Sequence, residues 1–303
     1  MMKRISKYIL GAIVVLLAAS CYKEAPIVPS DLADKLYFEF PQGNASHDRD
    51  IQQLQEQYGV YIIYKDIPVS MLNRAWVNVY IGSYIDADPV PQALVPWYVD
   101  FVKRGVFKYF DADKFAPYFP RYFFLVSNMH MVLDGVAKGH MATKVDGVDF
   151  WALSFQTTET GSLYLPDEHL ARICFAYRLV ENLLQAGQIE IPSKFYDGID
   201  YNEIVYDDIN NPNKLSSKYH YQTRGFVKYV QPGFEYDSPL TSIKLAAAKN
   251  EDFLMYVRKI LYSPTAEFVA ENGSYPLVMQ RYNIVLELFN GLGINLADIS
   301  DGK

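Results

Sequence analysis

A glutamate on an apolar face is the first chemical signal in this chain. Between Pro166 and Gly187, Leu170, Ile173, Cys174, Tyr177, Val180 and Leu184 fall on one stripe of a helical wheel. Glu181 falls near the middle of that stripe, one turn after Tyr177. A carboxylate facing a core is costly unless paired or coordinated. The spacing therefore predicts either a partner for Glu181 or a cleft beside it.

Other chemistry-bearing residues form no recognisable set. His47, His130, His140, His169 and His220 are scattered, with no His-x-x-x-His pair to hold a metal from one helix face. His130 and His140 flank a glycine-containing loop and read as surface or capping histidines. Gly135 and Gly139 lack the strand-turn-helix spacing of a phosphate loop, and no Gly-x-Ser-x-Gly elbow occurs. Acids are plentiful, but nothing singles out a glycosidase-type pair. The net charge of −7, without a basic tract, argues against a nucleic-acid partner.

The N-terminus carries a different signal. Lys3, Arg4 and Lys7 precede an uncharged run from Tyr8 to Ala19, too short to span a bilayer and suited to a secretory signal. Leu17-Ala18-Ala19-Ser20-Cys21 resembles a bacterial lipobox, after which Cys21 would be acylated. The reading is a signal peptide over 1–20, a lipidated tether over 21–45 and one domain over 46–303. Cys174 then has no disulfide partner and is expected to be a buried small hydrophobe.

The elements that must position Glu181 are expected as follows. A helix runs over Asp48–Gln57, ended by Gly59, and a strand over Val60–Tyr64. Further strands are expected at Trp76–Ile81, Tyr122–Val126, Phe150–Phe155 and Leu163–Leu165, and a helix over Pro91–Phe110. A helix opens at Pro166-Asp167-Glu168 and stops at Gly187. The polar stretch from Ile191 to Pro239 reads as loop with short helices. Two helices close the chain, one from Lys249 to Tyr262 and one from Tyr275-Pro276 to Gly291. This is an α+β order, a small sheet followed by a mostly helical half.

Several short pieces, in their order and spacing, carry a resemblance. They are Asp48–Tyr64, Phe123-Phe124-Leu125-Val126, Gly225-Phe226-Val227, Asn250-Glu251-Asp252-Phe253, Arg281-Tyr282-Asn283-Ile284-Val285 and Gly293-Ile294-Asn295-Leu296. Together they resemble the zinc-binding metallopeptidase family of SusC/SusD-linked lipoproteins, also called substrate import-associated zinc metallohydrolase lipoproteins. The resemblance implies a zincin-like scaffold, a lipid anchor in the outer membrane facing the cell exterior, and a SusC/SusD-type importer as partner. Lys23 and Glu24, just after Cys21, loosely resemble the surface-export signals of such lipoproteins.

In that family a helix carries His-Glu-x-x-His, with a third, acidic ligand from a later helix start. The family's pattern falls here on Tyr177, Arg178 and Glu181, and only Glu251 keeps its residue type. Arginine cannot act as a general base, because its guanidinium does not deprotonate in a protein. The resemblance therefore implies a degenerate site with no catalytic residues, no metal and no cofactor. Arg178, three residues before Glu181, is expected to supply positive charge in place of zinc, with the Tyr177 hydroxyl donating to a carboxylate. The implied function is an accessory of a TonB-dependent nutrient importer that captures peptide or glycan, or docks on the importer. The alternative is an active zinc metallohydrolase with other ligands, such as His169 at the start of the same helix.

Overall fold

The computed structural model describes residues 36–74, 82–164, 166–202, 220–230, 237–238 and 249–303. The chain divides into Met1–Glu39 and a second unit, Phe40–Lys303, which holds everything described below. Cys21, the signal segment and the strand expected at Trp76–Ile81 lie outside the described residues.

The sheet is organised around one long strand. After helix α1 (Ser46–Tyr58) come strand β1 (Tyr61–Ile63), the short helix α2 (Val69–Leu72) and strand β2 (Ser83–Pro89). Helix α3 (Val95–Gly105) and the one-turn α4 (Ala112–Phe115) lead to β3 (Tyr122–Leu133). Strands β4 (Val136–His140), β5 (Thr143–Lys144) and β6 (Phe150–Phe155) complete the sheet. The first half of β3 lies between parallel neighbours, with Tyr61 opposite Tyr122 on β1 and Phe150 opposite Tyr122 on β6. Its six residues from Tyr122 to Ser127 are all buried, as a strand covered on both faces requires. At Asn128, which has φ 54°, the burial becomes irregular. The second half pairs antiparallel with β2 and β4.

The helical half begins with α5 (Glu168–Gln185). Asp167 caps it by accepting from the Leu170 N–H at 2.8 Å, and Gly187, with φ 69°, turns the chain away at its end. Phe175 lays α5 on the sheet, its ring 4.9 Å from Phe123 and 5.6 Å from Trp151. Strands β7 (Tyr229–Val230) and β8 (Asp237–Ser238) form a separate pair. Helices α6 (Lys249–Tyr262), α7 (Thr265–Asn272), α8 (Pro276–Leu292) and α9 (Leu296–Asp301) follow.

Several expectations need correction. The Pro91–Phe110 helix is α3 flanked by single 3-10 turns, because Val106 leaves helical geometry at φ −124°, ψ −70°. The strand expected at Leu163–Leu165 is only a bridge from Thr157 to Leu163; Leu165 itself is outside the described residues. The last long helix passes through Gly291 and is capped at Gly293, whose φ of 87° provides the left-handed turn. Strands β2, β4 and β5 and helices α7 and α9 were not expected at all. The architecture is a mixed α/β one with α1 and α3 among the early strands, rather than strands first and helices after.

Candidate functional site

The cluster forms where α5 meets α6. Glu181 on α5 accepts from Arg178 Nη1 at 3.2 Å, the contact expected at that spacing. From α6, Arg258 donates to Glu251 at 2.6 Å and lies 3.9 Å from the second Glu181 oxygen. The Arg258 guanidinium carbon also sits 4.7 Å from the centre of the Tyr177 ring, in cation–π position. Three of the four residues expected from the sequence, Tyr177, Glu181 and Glu251, therefore lie around one group that was not expected, the side chain of Arg258, and the fourth, Arg178, joins through Glu181.

This corrects two expectations. The positive charge between Glu181 and Glu251 comes from Arg258 on α6, while Arg178 serves Glu181 alone. Glu181 itself borders the buried face of α5 instead of lying in its middle, since Ala171, Phe175, Leu179 and Leu183 are buried too. Cys174 is buried as expected. A signal for Arg258 existed in the sequence: an arginine within the apolar run Phe253–Leu261, two turns after Glu251.

Electrostatically the cluster closes on itself. Arg178 and Arg258 balance Glu181 and Glu251, two cations against two anions. Burial pushes the Tyr177 hydroxyl well above the ordinary phenol range, and the negative charge of the nearby Glu181 carboxylate pushes the same way. Tyr177 therefore stays protonated. Arg258 is only 9% exposed, against 42% for Glu251, so the cation is the buried member of its pair.

A divalent metal does not fit this arrangement. The space between the two carboxylates already holds a guanidinium that cannot release its proton. Among the described residues no group of three His, Cys, Asp or Glu side chains is placed to hold a metal ion. His169 is occupied elsewhere: Arg172, which can only donate, bonds its Nδ1 at 3.2 Å, so Nε2–H donates to the Tyr262 carbonyl at 3.0 Å. That imidazole ties α5 to the end of α6. His130 and His140 stand opposite each other in the register of β3 and β4, as sheet residues.

Next to Glu251, Asp252 points the other way. It pairs in the core with Arg281 from α8 and accepts from the Tyr201 hydroxyl at 2.5 Å. Arg281 also donates to the carbonyls of Phe195 at 3.0 Å and Gly225 at 2.5 Å. Gly225, at φ 83°, also accepts from the Tyr256 hydroxyl, and an added Cβ would meet Ile199 at 2.7 Å. Three of the sequence pieces that carry the resemblance thus converge on one buried network. Its role is to fasten the backbone at Phe195 and at Gly225 to α6 and α8.

Beside Arg178, a cavity of about 450 Å³ runs along the C-terminal half of α5. Its other walls are the Pro117–Pro120 turn before β3 and the Val145–Asp149 loop before β6.

No family model matches this sequence, and no curated protein matches it. Among solved structures, the chain is similar to a candidate zinc-binding metallo-peptidase from Bacteroides caccae ATCC 43185. The two share 13% identity at a TM-score of 0.47, over 86% of this chain and 92% of that one.

Proposed function

We propose that this chain is a non-catalytic relative of zinc metallopeptidases, acting as a surface lipoprotein accessory to a SusC/SusD-type nutrient importer. Lipid on Cys21 would hold it in the outer membrane, and its helix-lined cleft would capture peptide or glycan or dock on the importer. The parallel strands β1, β3 and β6, the antiparallel edge strand β5 and the helix α5 after β6 support a zincin-like reading of the scaffold.

One observation carries the non-catalytic reading: Arg258 lies between Glu181 and Glu251, against the Tyr177 ring. A fixed cation in that place removes the electrostatic reason for a metal, and no side chain of the cluster is a free base. Arg178, where the family has its catalytic glutamate, can neither accept a proton from water nor ligate an ion. The alternative of an active hydrolase with His169 as ligand is disfavoured by that residue's two bonds away from the cluster.

The test is metal analysis of the full-length protein in detergent, after incubation with zinc and dialysis. Zinc is expected far below one per chain, with no change in melting temperature on adding chelator. A site filled at 100 times its dissociation constant would add about 2.7 kcal/mol. Zinc near one per chain together with a chelator-dependent fall in melting temperature would refute the reading.

A further inference from the structure

We infer that the cavity beside the C-terminal half of α5 binds a neutral polyhydroxy ligand of the sugar type. The inference rests on the capture reading above and narrows it to one pocket and one ligand class.

Size and lining admit such a ligand. A volume of about 450 Å³ lies within the range of small-molecule sites, roughly 300–1,000 Å³. The partly exposed rings of Tyr118 and Phe119 offer apolar surface of the kind that meets the C–H face of a pyranose. Asn182 and Gln185 project amides from α5, and Arg178 and Asp149 complete the polar wall.

Charge decides between ligand classes. Both charged groups in the wall already have counter-charges: Asp149 meets Arg74 at 2.7 Å, and Arg178 meets Glu181 at 3.2 Å. An ionic ligand would lose its hydration with no surplus opposite charge to receive it. A neutral ligand escapes that cost.

The wall nevertheless keeps unused hydrogen-bonding capacity of both kinds. Arg178 engages Nη1, and its Nη2 has no hydrogen-bond partner among the described residues. Asn182 spends one N–H on the Tyr118 carbonyl at 2.9 Å and keeps its side-chain oxygen. Gln185 is exposed, with no side-chain bond among the described residues. The Asp149 Oδ1 atom is buried and lacks a partner there, an orphan acceptor of the sort that native structures satisfy with water or ligand. A hydroxyl both donates and accepts, so a set of adjacent hydroxyls matches this mixture.

The experiment is calorimetric titration of the full-length chain in a sugar-free detergent, lauryldimethylamine oxide. Probes are maltose, cellobiose, N,N′-diacetylchitobiose and the zwitterion dialanine. Saturable binding of at least one disaccharide is expected, weakened roughly tenfold or more in Asn182→Ala/Gln185→Ala. Val148→Trp, at an exposed rim position, should weaken it likewise while leaving the Asn182–Tyr118 bond intact. Disaccharide binding that both variants leave unchanged would overturn the placement in this pocket. Binding of dialanine without any disaccharide would overturn the ligand class and leave the capture reading standing. Silence with all four probes would overturn the inference and the capture half of that reading, leaving docking on the importer.

Discussion

Arg258 lies face-on to Tyr177, its guanidinium carbon 4.7 Å from the ring centre, while its two terminal nitrogens reach toward Glu251 and Glu181. The two residues come from different helices, Tyr177 on α5 and Arg258 on α6, so the contact joins those helices. Glu181 and Glu251 would otherwise face each other in a partly dehydrated seam, where like charges raise one another's proton affinity.

The two arginines of the cluster should differ sharply on removal. Arg258→Met leaves two carboxylates without their shared cation and should cost about 3 kcal/mol, the low end for a buried pair broken on one side. The low end applies because Glu251 is 42% exposed and can rehydrate. Arg178→Met removes one i,i+3 pair at the helix surface and should cost roughly 0.5 kcal/mol. Urea unfolding of both variants, and of Arg258→Met/Glu181→Gln, reads the difference. Equal costs for the two single variants would return Arg178 to the central position. The double variant should recover part of the Arg258 loss.

Asp252 and Arg281 should behave as a structural pair. Both side chains are at most 1% exposed, so Arg281→Met strands a buried carboxylate and should cost about 3–5 kcal/mol. It should also loosen the backbone at Phe195 and at Gly225, which hydrogen exchange would detect as lost protection there. A loss under about 1 kcal/mol would mean that the network contributes little to holding those two positions.

Two histidines make the fold sensitive to acid. Burial holds His220 below the usual imidazole value of 6.5, and its ring nitrogens are buried with no hydrogen-bond partner among the described residues. His140 is lowered as well, first by burial and then by the facing His130. Below 6.5 the unfolded chain takes up protons that the folded chain resists, so stability is complete above that pH. It is lost as the pH falls toward the depressed folded values. The melting temperature should drop between about pH 7.5 and about pH 5, and less steeply in His220→Phe. Parallel curves for that variant and the parent would exclude His220 as a source of the acid sensitivity.

Anchoring is tested at Cys21. Cys21→Ala should move the protein from the membrane pellet to the soluble fraction and abolish labelling by a radioactive fatty acid. Unchanged fractionation with persisting label would rule out the lipoprotein assignment.

Sequence alone determined those features that repeat with the period of one element. Phe150–Phe155 is the strand expected, residue for residue, because six consecutive apolar or small residues between turns fit a strand buried on both faces. Lys249–Tyr262 was equally legible, with acids in its first turn and a basic residue in its last. Strand β4 was hidden because Val136–Gly139 is exposed, so no buried face imposes an alternating pattern. Tyr177, Arg178, Glu181 and Glu251 could be named from the chain because a carboxylate on an apolar stripe is anomalous and their places matched a known order. Arg258 could not. Its partner on the same helix, Glu251, is visible at a two-turn spacing, but Tyr177 and Glu181 reach it only when α6 packs on α5. The neighbours Glu251 and Asp252 show the same limit. About 100° apart around one helix, they face different partners, one the α5 cluster and the other Arg281 in the core. Adjacent residues in a sequence share a location but not a direction, and only tertiary packing assigns what each direction meets.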